Sequence, residues 1–478
     1  MRRGEFPIAS LPVWCSLNDV TFFDVKVGDI EGKGYGLVAE RDLVNEEDNS
    51  ESPLLLTIPK DLVLSAEAVE EYAKEDKNFR QLLEAAGHRS HRGDVLLFLM
   101  VQLILSSPDN PGAKNIVTPW TQYFSLLPAK VPIPTMWTDA ELSHLRGSSL
   151  ESAVAAKLSV LTKEFNDVRA RSSDLLYWND LLWADEVFTV HDWVLLDALY
   201  RSRSLGLPKS GESMVPCLDL VNHSRQSSAY FEESSNEEVT LLLREGCAVS
   251  SGQEITIDYG QGKSAAEMLF SYGFIDSDAT AKSLVLPVEP TEDDPLAKAK
   301  LHVFGTPPTL QIHDSEDGVP QWTAPFIYLV CLNEEDGLNF ALLQENDGSR
   351  HLRLHWQEED VTDRAHELTA LIDGHELRQI FELRAVTLIQ ERVEQQIKSL
   401  RDSHSNAMPG IVRAEILQTA LHLRNLEADL LERAARALED QKTRLLADNS
   451  VIAYLGFVEE PRTDEAGAAL SNDEEDFS

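Results

Sequence analysis

VPCLDLVNHS (215–224) and, a short way downstream, EITIDYGQGKSAAEMLFSYGFID (254–276) are the stretches whose reading decides the fold. Val215 to Val221 is short and mostly apolar, the pattern of a buried strand, so Asp219, Asn222 and His223 arrive at the end of a core element. Buried polar groups need partners. Asn and His each offer a donor and an acceptor, which suits a capped strand end with a hydrogen-bonded core histidine, or a polar ligand such as an adenine edge. Val239 to Leu243 and Glu254 to Tyr259 flank a turn at Ser250, Ser251 and Gly252, which predicts a hairpin with Ile255, Ile257 and Tyr259 on one face. Ser264 with Glu267 forms a capping box, and Ala265, Met268, Leu269 and Tyr272 follow as the inner stripe of a helix. Two tyrosines are thereby aimed at the core from adjoining elements, for packing or for chemistry.

Working outward, GKGYGLVAERDL (32–43) reads as short strands around Gly32, Gly34 and Gly36, where glycine lets backbone come close to another group. LLLTIPKDLVLS (54–65) has strand character and leads into a helix near Ser65. From Ala66 to about Tyr200 the pattern is helical, with a buried helix over 92–105 and a capping box at Thr138 and Glu141. Trp120, Tyr123 and Trp137 stand among prolines and read as a packed loop wall. Residues 285–325, rich in proline and acid, read as a linker with irregular packing. Leu377 to Leu400 and a stripe from Ile416 to Leu438 predict a long helical hairpin broken at Met408, Pro409 and Gly410, without the strict heptad of a coiled coil. The acidic stretch 459–478 is expected to be a disordered tail.

Composition bounds the function. The chain has 478 residues, 43% hydrophobic and 26% charged, enough for two or three globular domains. Its 42 basic and 81 acidic residues give a net charge of −39, which repels nucleic acid and anionic membrane and attracts basic partners. Cys15, Cys217, Cys247 and Cys331 include no CxC or CxxC pair, so neither a zinc cluster nor a disulfide framework is indicated, and a reducing compartment is expected. The longest apolar run, Val95 to Leu105, is too short to span a bilayer. No Ser- and Arg-rich transit segment is expected at the N-terminus.

The joint order SR (202–203), DLxNHS (219–224), DYG (258–260) and YGF (272–274) resembles SET-domain protein methyltransferases, in the branch of the plant Rubisco large-subunit methyltransferase and its fungal and animal relatives. The resemblance covers most of the chain. It implies an α+β fold in which a β-rich SET fold is split by a helical insert and followed by an all-α substrate-binding domain. The parts would be 14–65 and 200–284 for SET, 66–199 for the insert, 285–458 for the helical domain and 459–478 for the tail. It also implies S-adenosyl-L-methionine as cofactor, held at Lys33, Gly34 and Tyr35 of the glycine stretch and by Arg203, Asp219, Asn222, His223, Tyr259 and Tyr272. Tyr259 would be the catalytic tyrosine, its hydroxyl near the transferring methyl, and Tyr272 would close the pocket. Leu205, Leu218 and Phe274 would line an apolar substrate pocket, and no metal is implied.

The substrate implied is a lysine-bearing, basic, non-histone, ribosomal or nuclear protein, with the chain acting as a monomer in cytoplasm or nucleus. At pH 7 a free lysine is neutral in roughly one molecule in 2,500, so an apolar channel that favours the neutral amine is itself a catalytic device. Two other readings stand beside lysine transfer. One is a SET-derived scaffold without turnover. The other is histidine methylation, since a relative acting on an actin histidine carries an asparagine two places after the motif arginine; here that position is Leu205, which packs against a lysine stem and offers an imidazole no hydrogen bond.

Overall fold

The structure is a computed structural model that describes residues 3–46, 52–110, 113–183, 185–234, 238–260, 262–276, 279, 283–290, 294–315, 317–344, 349–402 and 412–459. It divides into two compact units, Met1–Thr280 with His404–Arg424, and Ala281–Ser403 with Asn425–Ser478. The helix Ala414–Leu446 therefore contributes its first residues to the first unit, although they read as part of the C-terminal domain in the sequence.

In the first unit the glycine stretch forms the expected hairpin. Val25–Ile30 pairs antiparallel with Gly34–Ala39, and Gly32 and Gly34 take the left-handed φ values of +76° and +80° that the tight turn requires. Two four-stranded sheets result. One orders Thr21–Phe22, Leu54–Ile58, Val239–Leu243 and Ala229–Glu233. The other orders Val25–Ile30, Gly34–Ala39, Glu254–Ile257 and Asn222–His223, the last two parallel. Glu254–Ile257 thus does not pair with Val239–Leu243, and the predicted hairpin between them is corrected: the turn at Ser250–Gly252 instead follows the short strand Ala248–Val249, which pairs with Leu43–Val44. The apolar faces agree with either arrangement, so alternation alone did not choose the partner.

The strand expected over Val215–Val221 is likewise a turn with one 3-10 segment, Leu218–Leu220. Pro216 has no N–H to give a sheet, and Cys217 turns the chain with φ +70°. Burial is complete along Met214, Val215 and Cys217, so the apolar run did report the core, only in another backbone form.

The insert between the two halves of the sheets is helical, as expected. His91–Ser106 is buried at every position from Asp94 to Ile104, and Ser90 caps it by accepting from the Gly93 N–H. Truncating a fully enclosed side chain such as Leu99 to Ala costs about 2–5 kcal/mol. Trp120 and Tyr123 lie on the helix Pro119–Leu126, not in a loop: Thr118 stands at its N-cap with its N–H donating to the Thr121 hydroxyl at 3.1 Å, and Pro119 fits its first turn. The buried carboxylate of Asp197, on the helix Val190–Arg203, gathers Arg92 at 3.1 Å, Lys157 at 3.0 Å and Arg201 at 3.5 Å from three helices. An unpaired charge there would be costly, so this cluster fixes the helix whose last residue is Arg203.

The second unit is mixed, which corrects its all-α assignment while the chain as a whole remains α+β. Ser283–Pro287, Thr309–Asp314 and Pro320–Thr323 form one antiparallel sheet, and Leu338–Gln344, Arg350–Trp356 and Glu359–Asp360 another. The supposed linker over 285–325 is therefore structured, with Leu284, Leu286, Leu310 and Ile312 turned inward at period two. Arg378–Asp402 runs antiparallel to the later part of Ala414–Leu446, held by Glu382–Gln441, Gln390–Glu439 and Arg401–Glu432 at 2.8, 2.9 and 2.7 Å. The breaker at Met408 to Gly410 and the acidic tail beyond Glu459 lie outside the described residues.

Candidate active site

The helix Val190–Arg203 ends where the strand Ser204–Leu207 begins, and this change of direction brings Arg203 and Leu205 into a cleft of about 610 Å³. Leu218, Asp219, Tyr259 and Tyr272 line the same cleft. Six of the predicted site residues are therefore brought together, although they come from five segments of the chain.

Arg203 and Asp219 form a buried pair. One guanidinium nitrogen, Nη1, donates to the Asp219 carboxylate at 2.9 Å and to its main-chain carbonyl at 3.0 Å. Among the described residues, Arg203 Nε is buried without a hydrogen-bond partner. The other carboxylate oxygen of Asp219 accepts from the Tyr123 hydroxyl, which in turn accepts the Cys217 N–H at 2.8 Å. Tyr123 was assigned only to a packing wall by sequence, yet it satisfies the amide exposed by the turn at Cys217 and fixes Asp219. Burial pushes its phenol far above the ordinary range, with the Asp219 charge adding to the effect, so it stays a neutral donor.

Tyr259 stands just beyond the end of Glu254–Ile257. Its hydroxyl donates to the Val221 carbonyl at 2.8 Å, and its N–H donates to His223 Nδ1 at 3.1 Å. Because Nδ1 accepts, the His223 proton resides on Nε2, which faces Asp276 at 3.5 Å. Burial raises the Tyr259 phenol well above its usual value, the Arg203 charge opposing this only in part. The group is thus a hydrogen-bonding hydroxyl at neutral pH and not a phenolate base.

Tyr272, on the helix Ala265–Tyr272, packs its ring 4.6 Å from that of Tyr259, and Phe274 completes the cluster at 6.5 Å from Tyr259 and 6.2 Å from His223. The Ser264 and Glu267 capping box forms as expected. Its turn folds Lys263 back over the cleft, where Nζ donates to the Tyr272 hydroxyl at 2.7 Å and the Tyr259 carbonyl at 2.5 Å. Lys263 was missed by sequence reasoning. The signal was the pair of glycines just before it: Gly260 and Gly262 have φ +132° and +82°, and a Cβ on Gly260 would lie 3.1 Å from the lysine Cε and Nζ.

The remaining predicted residues form a second group that does not line the cleft. Asn222 donates to Glu254 at 2.8 Å and to the Tyr35 carbonyl at 3.4 Å, and Lys33 pairs with the other Glu254 oxygen at 2.7 Å. Glu254, also missed, therefore joins the Asn-His strand to the glycine hairpin. A Cβ on Gly36 would approach Asn222 Nδ2 to 2.6 Å, whereas one on Gly34 would meet nothing within 4 Å. Gly36 permits the close approach and Gly34 leaves space beside it. The two groups share the chain from Glu254 to Tyr259, with the cleft at one end and the hairpin at the other. Behind the Arg203–Asp219 pair, Cys15 and Cys217, 202 residues apart in the chain, place their sulfurs 3.6 Å apart as free thiols.

No family model matches the chain. Among curated proteins it is 26% identical over 407 residues to SET domain-containing protein 8 of Schizosaccharomyces pombe, covering 84% of this chain and 89% of that protein. It is 26% identical over 340 residues to the chloroplastic ribulose-1,5 bisphosphate carboxylase/oxygenase large subunit N-methyltransferase of Pisum sativum, covering 67% of this chain and 63% of the pea protein, less than two thirds of its length. The solved SET domain of LSMT bound to lysine and AdoHcy shares the fold with a TM-score of 0.66 at 20% identity, over 95% of this chain and 96% of that one. Motif order, sheet arrangement and relatives agree in one likeness: this chain is similar to SET domain-containing protein 8 and to the Rubisco large-subunit methyltransferase, and it shares the fold of the LSMT SET domain.

Proposed function

We propose that the chain transfers a methyl group from S-adenosylmethionine to a lysine side chain of a basic protein. The observation that carries this reading is the position of Tyr259, between a cleft lined by Leu205, Leu218 and Asp219 and the group formed by Asn222, His223 and the glycine hairpin. The names of the relatives support it: the pea protein is an N-methyltransferase, and the LSMT structure holds lysine with AdoHcy.

The residues present fit the cofactor. Arg203 has a buried Nε with no partner among the described residues, and Gly34 leaves open space at the hairpin. Arg203, Asn222, His223 and the main chain of Lys33 to Tyr35 would hold it, with Tyr272 and Phe274 as aromatic walls. When bound, S-adenosylmethionine supplies an electrophilic methyl on a sulfonium.

Everything else in the mechanism belongs to the chain. Tyr259, kept neutral by burial, orients through its hydroxyl, and the Val221 carbonyl beside it is an acceptor for an amine N–H. Leu205 and Leu218 exclude water along the acceptor stem and give an imidazole no partner, which favours lysine over histidine. Alignment and desolvation are the contributions such a site makes to an in-line displacement. The net charge of −39 favours basic acceptor proteins.

The test is incubation with methyl-labelled S-adenosylmethionine and a basic protein extract, followed by acid hydrolysis. Methyllysine is expected. Methylhistidine would move the assignment to the imidazole acceptor, and cofactor binding with no label transferred to any fraction would leave a scaffold.

A further inference from the structure

Lys263 has no place in the mechanism above, yet its ammonium sits inside the cleft. Among the described residues its partners are neutral: the Tyr272 hydroxyl, the Tyr259 carbonyl and the Tyr272 ring, whose centroid is 4.8 Å from Nζ. The other cations of the cleft are matched by carboxylates. Arg203 is paired with Asp219 at 2.9 Å, and Arg201 faces Asp197 at 3.5 Å. Two carboxylates also line the space. Glu212 accepts from the Ser204 hydroxyl at 3.0 Å, and Asp258 accepts the Gly260 N–H at 2.9 Å while lying 3.9 Å from His223 Nδ1. Left unopposed, those two would hold an incoming amine in its charged, unreactive form.

Resting on the methyl-transfer reading, we propose that Lys263 is the charge that drives an acceptor lysine entering this cleft into its neutral form. A like charge on the wall of the same cleft penalises a second ammonium and does not penalise the amine. The geometry suits the task. The turn through Gly260 and Gly262 pins the ammonium by two hydrogen bonds, to the Tyr259 main-chain carbonyl and the Tyr272 hydroxyl, so the charge is held in place on the cleft wall. No base is needed in this scheme, because the proton leaves to solvent before transfer and the nitrogen lone pair is then free to attack.

The experiment follows kcat against pH, which reports groups ionising in the bound complex. Labelled S-adenosylmethionine is the donor and a salt-washed basic protein fraction, in excess, the acceptor. Lys263→Met and Lys263→Gln remove the charge, the second keeping an N–H donor for the tyrosines, and Lys263→Arg retains it. In the two neutral variants the acid limb of kcat should move up by about one pH unit, with turnover below that limb reduced about tenfold and the alkaline plateau kept. The arginine variant should stay close to the unsubstituted chain. A loss that is uniform across pH, or an arginine variant shifted as far as the methionine one, would overturn the inference and assign Lys263 to packing alone. No transfer by the unsubstituted chain would instead remove the methyl-transfer reading, and this inference with it.

Discussion

Tyr123→Phe removes one oxygen from a helix of the insert and should disturb the cleft nearly a hundred residues away in sequence. In the intact chain that hydroxyl donates to the Asp219 carboxylate and accepts the Cys217 N–H at 2.8 Å. Deletion leaves a buried amide without an acceptor, at about 1–3 kcal/mol, and takes a charge-assisted bond from Asp219, at about 1.5–3 kcal/mol. The two share one atom and are not additive, so the expected loss is about 2–4 kcal/mol. Urea unfolding reads this as a lower midpoint at an unchanged slope. The functional consequence runs through Arg203, whose Nη1 is held by Asp219 and whose Nε, without a partner among the described residues, is the atom proposed to meet the cofactor. Calorimetry should therefore show S-adenosylmethionine binding weakened about tenfold or more. Combining Tyr123→Phe with Asp219→Asn tests the link directly, because the double variant should cost less than the sum of the singles. Additive losses, or an unchanged urea midpoint in the single variant, would refute the chain from Tyr123 to Arg203.

Three other substitutions have defined outcomes. Tyr259→Phe deletes the bond to the Val221 carbonyl and should lower turnover about a hundredfold or more while leaving the cofactor dissociation constant within a few fold; labelled transfer and calorimetry on the same samples separate the two. Gly36→Ala places a methyl 2.6 Å from Asn222 Nδ2 and 2.9 Å from Ile30, so the hairpin must shift; a loss of about 1–3 kcal/mol in stability together with weakened cofactor binding is expected, and normal binding would count against the hairpin's role. Glu141, buried and paired with Arg413 at 2.6 Å within the first unit, has its carboxyl lowered to about 2, chiefly by that hydrogen bond. Its folded value lies below its unfolded one, so the stabilisation is present above the usual carboxylate range and is lost as pH falls towards about 2. Glu141→Gln should flatten the stability profile over that interval, and a profile parallel to that of the unsubstituted chain would refute the assignment.

Local signals were legible in the sequence wherever neighbours in the chain decide the structure. The capping boxes at Ser264 and Thr138, the glycine hairpin and the buried helix over 92–105 all depend on contacts within a few residues. Choices between distant partners were not legible. Glu254–Ile257 has the same alternation whether it pairs with Val239–Leu243 or with Gly34–Ala39 and Asn222–His223, and only the tertiary fold selects the latter. In the second unit, Thr309–Asp314 did carry a period-two pattern, with Leu310 and Ile312 inward, but the surrounding prolines and acids masked it. Tyr123 illustrates the limit most clearly. Its apolar setting announced a core residue, while its function depends on an amide freed by a left-handed turn at Cys217, which nothing local to either residue reveals.

One short segment makes the two halves of the site interdependent. Glu254 binds Asn222 and, through its other oxygen, Lys33; Ile255 and Ile257 are buried; and Tyr259 then turns its hydroxyl to Val221 and its N–H to His223. These roles are set by a register in which Thr256 lies opposite Asn222 and Ile257 opposite His223. Strand geometry fixes the face of every side chain at period two, so inserting a single residue between Glu254 and Tyr259 cannot keep both ends in place. If Ile255 and Ile257 retain the core, either the Glu254 link to the hairpin or the Tyr259 hydroxyl must leave its partner. An alanine inserted after Ile257 preserves the hairpin end and displaces Tyr259, so it should abolish methyl transfer while the contacts of Asn222, Glu254 and Lys33 persist. An insertion after Glu254 should do the reverse, detaching the hairpin first. The same phenotype from both insertions would mean that the segment acts only as core, and that the cleft and the hairpin are coupled by some other route.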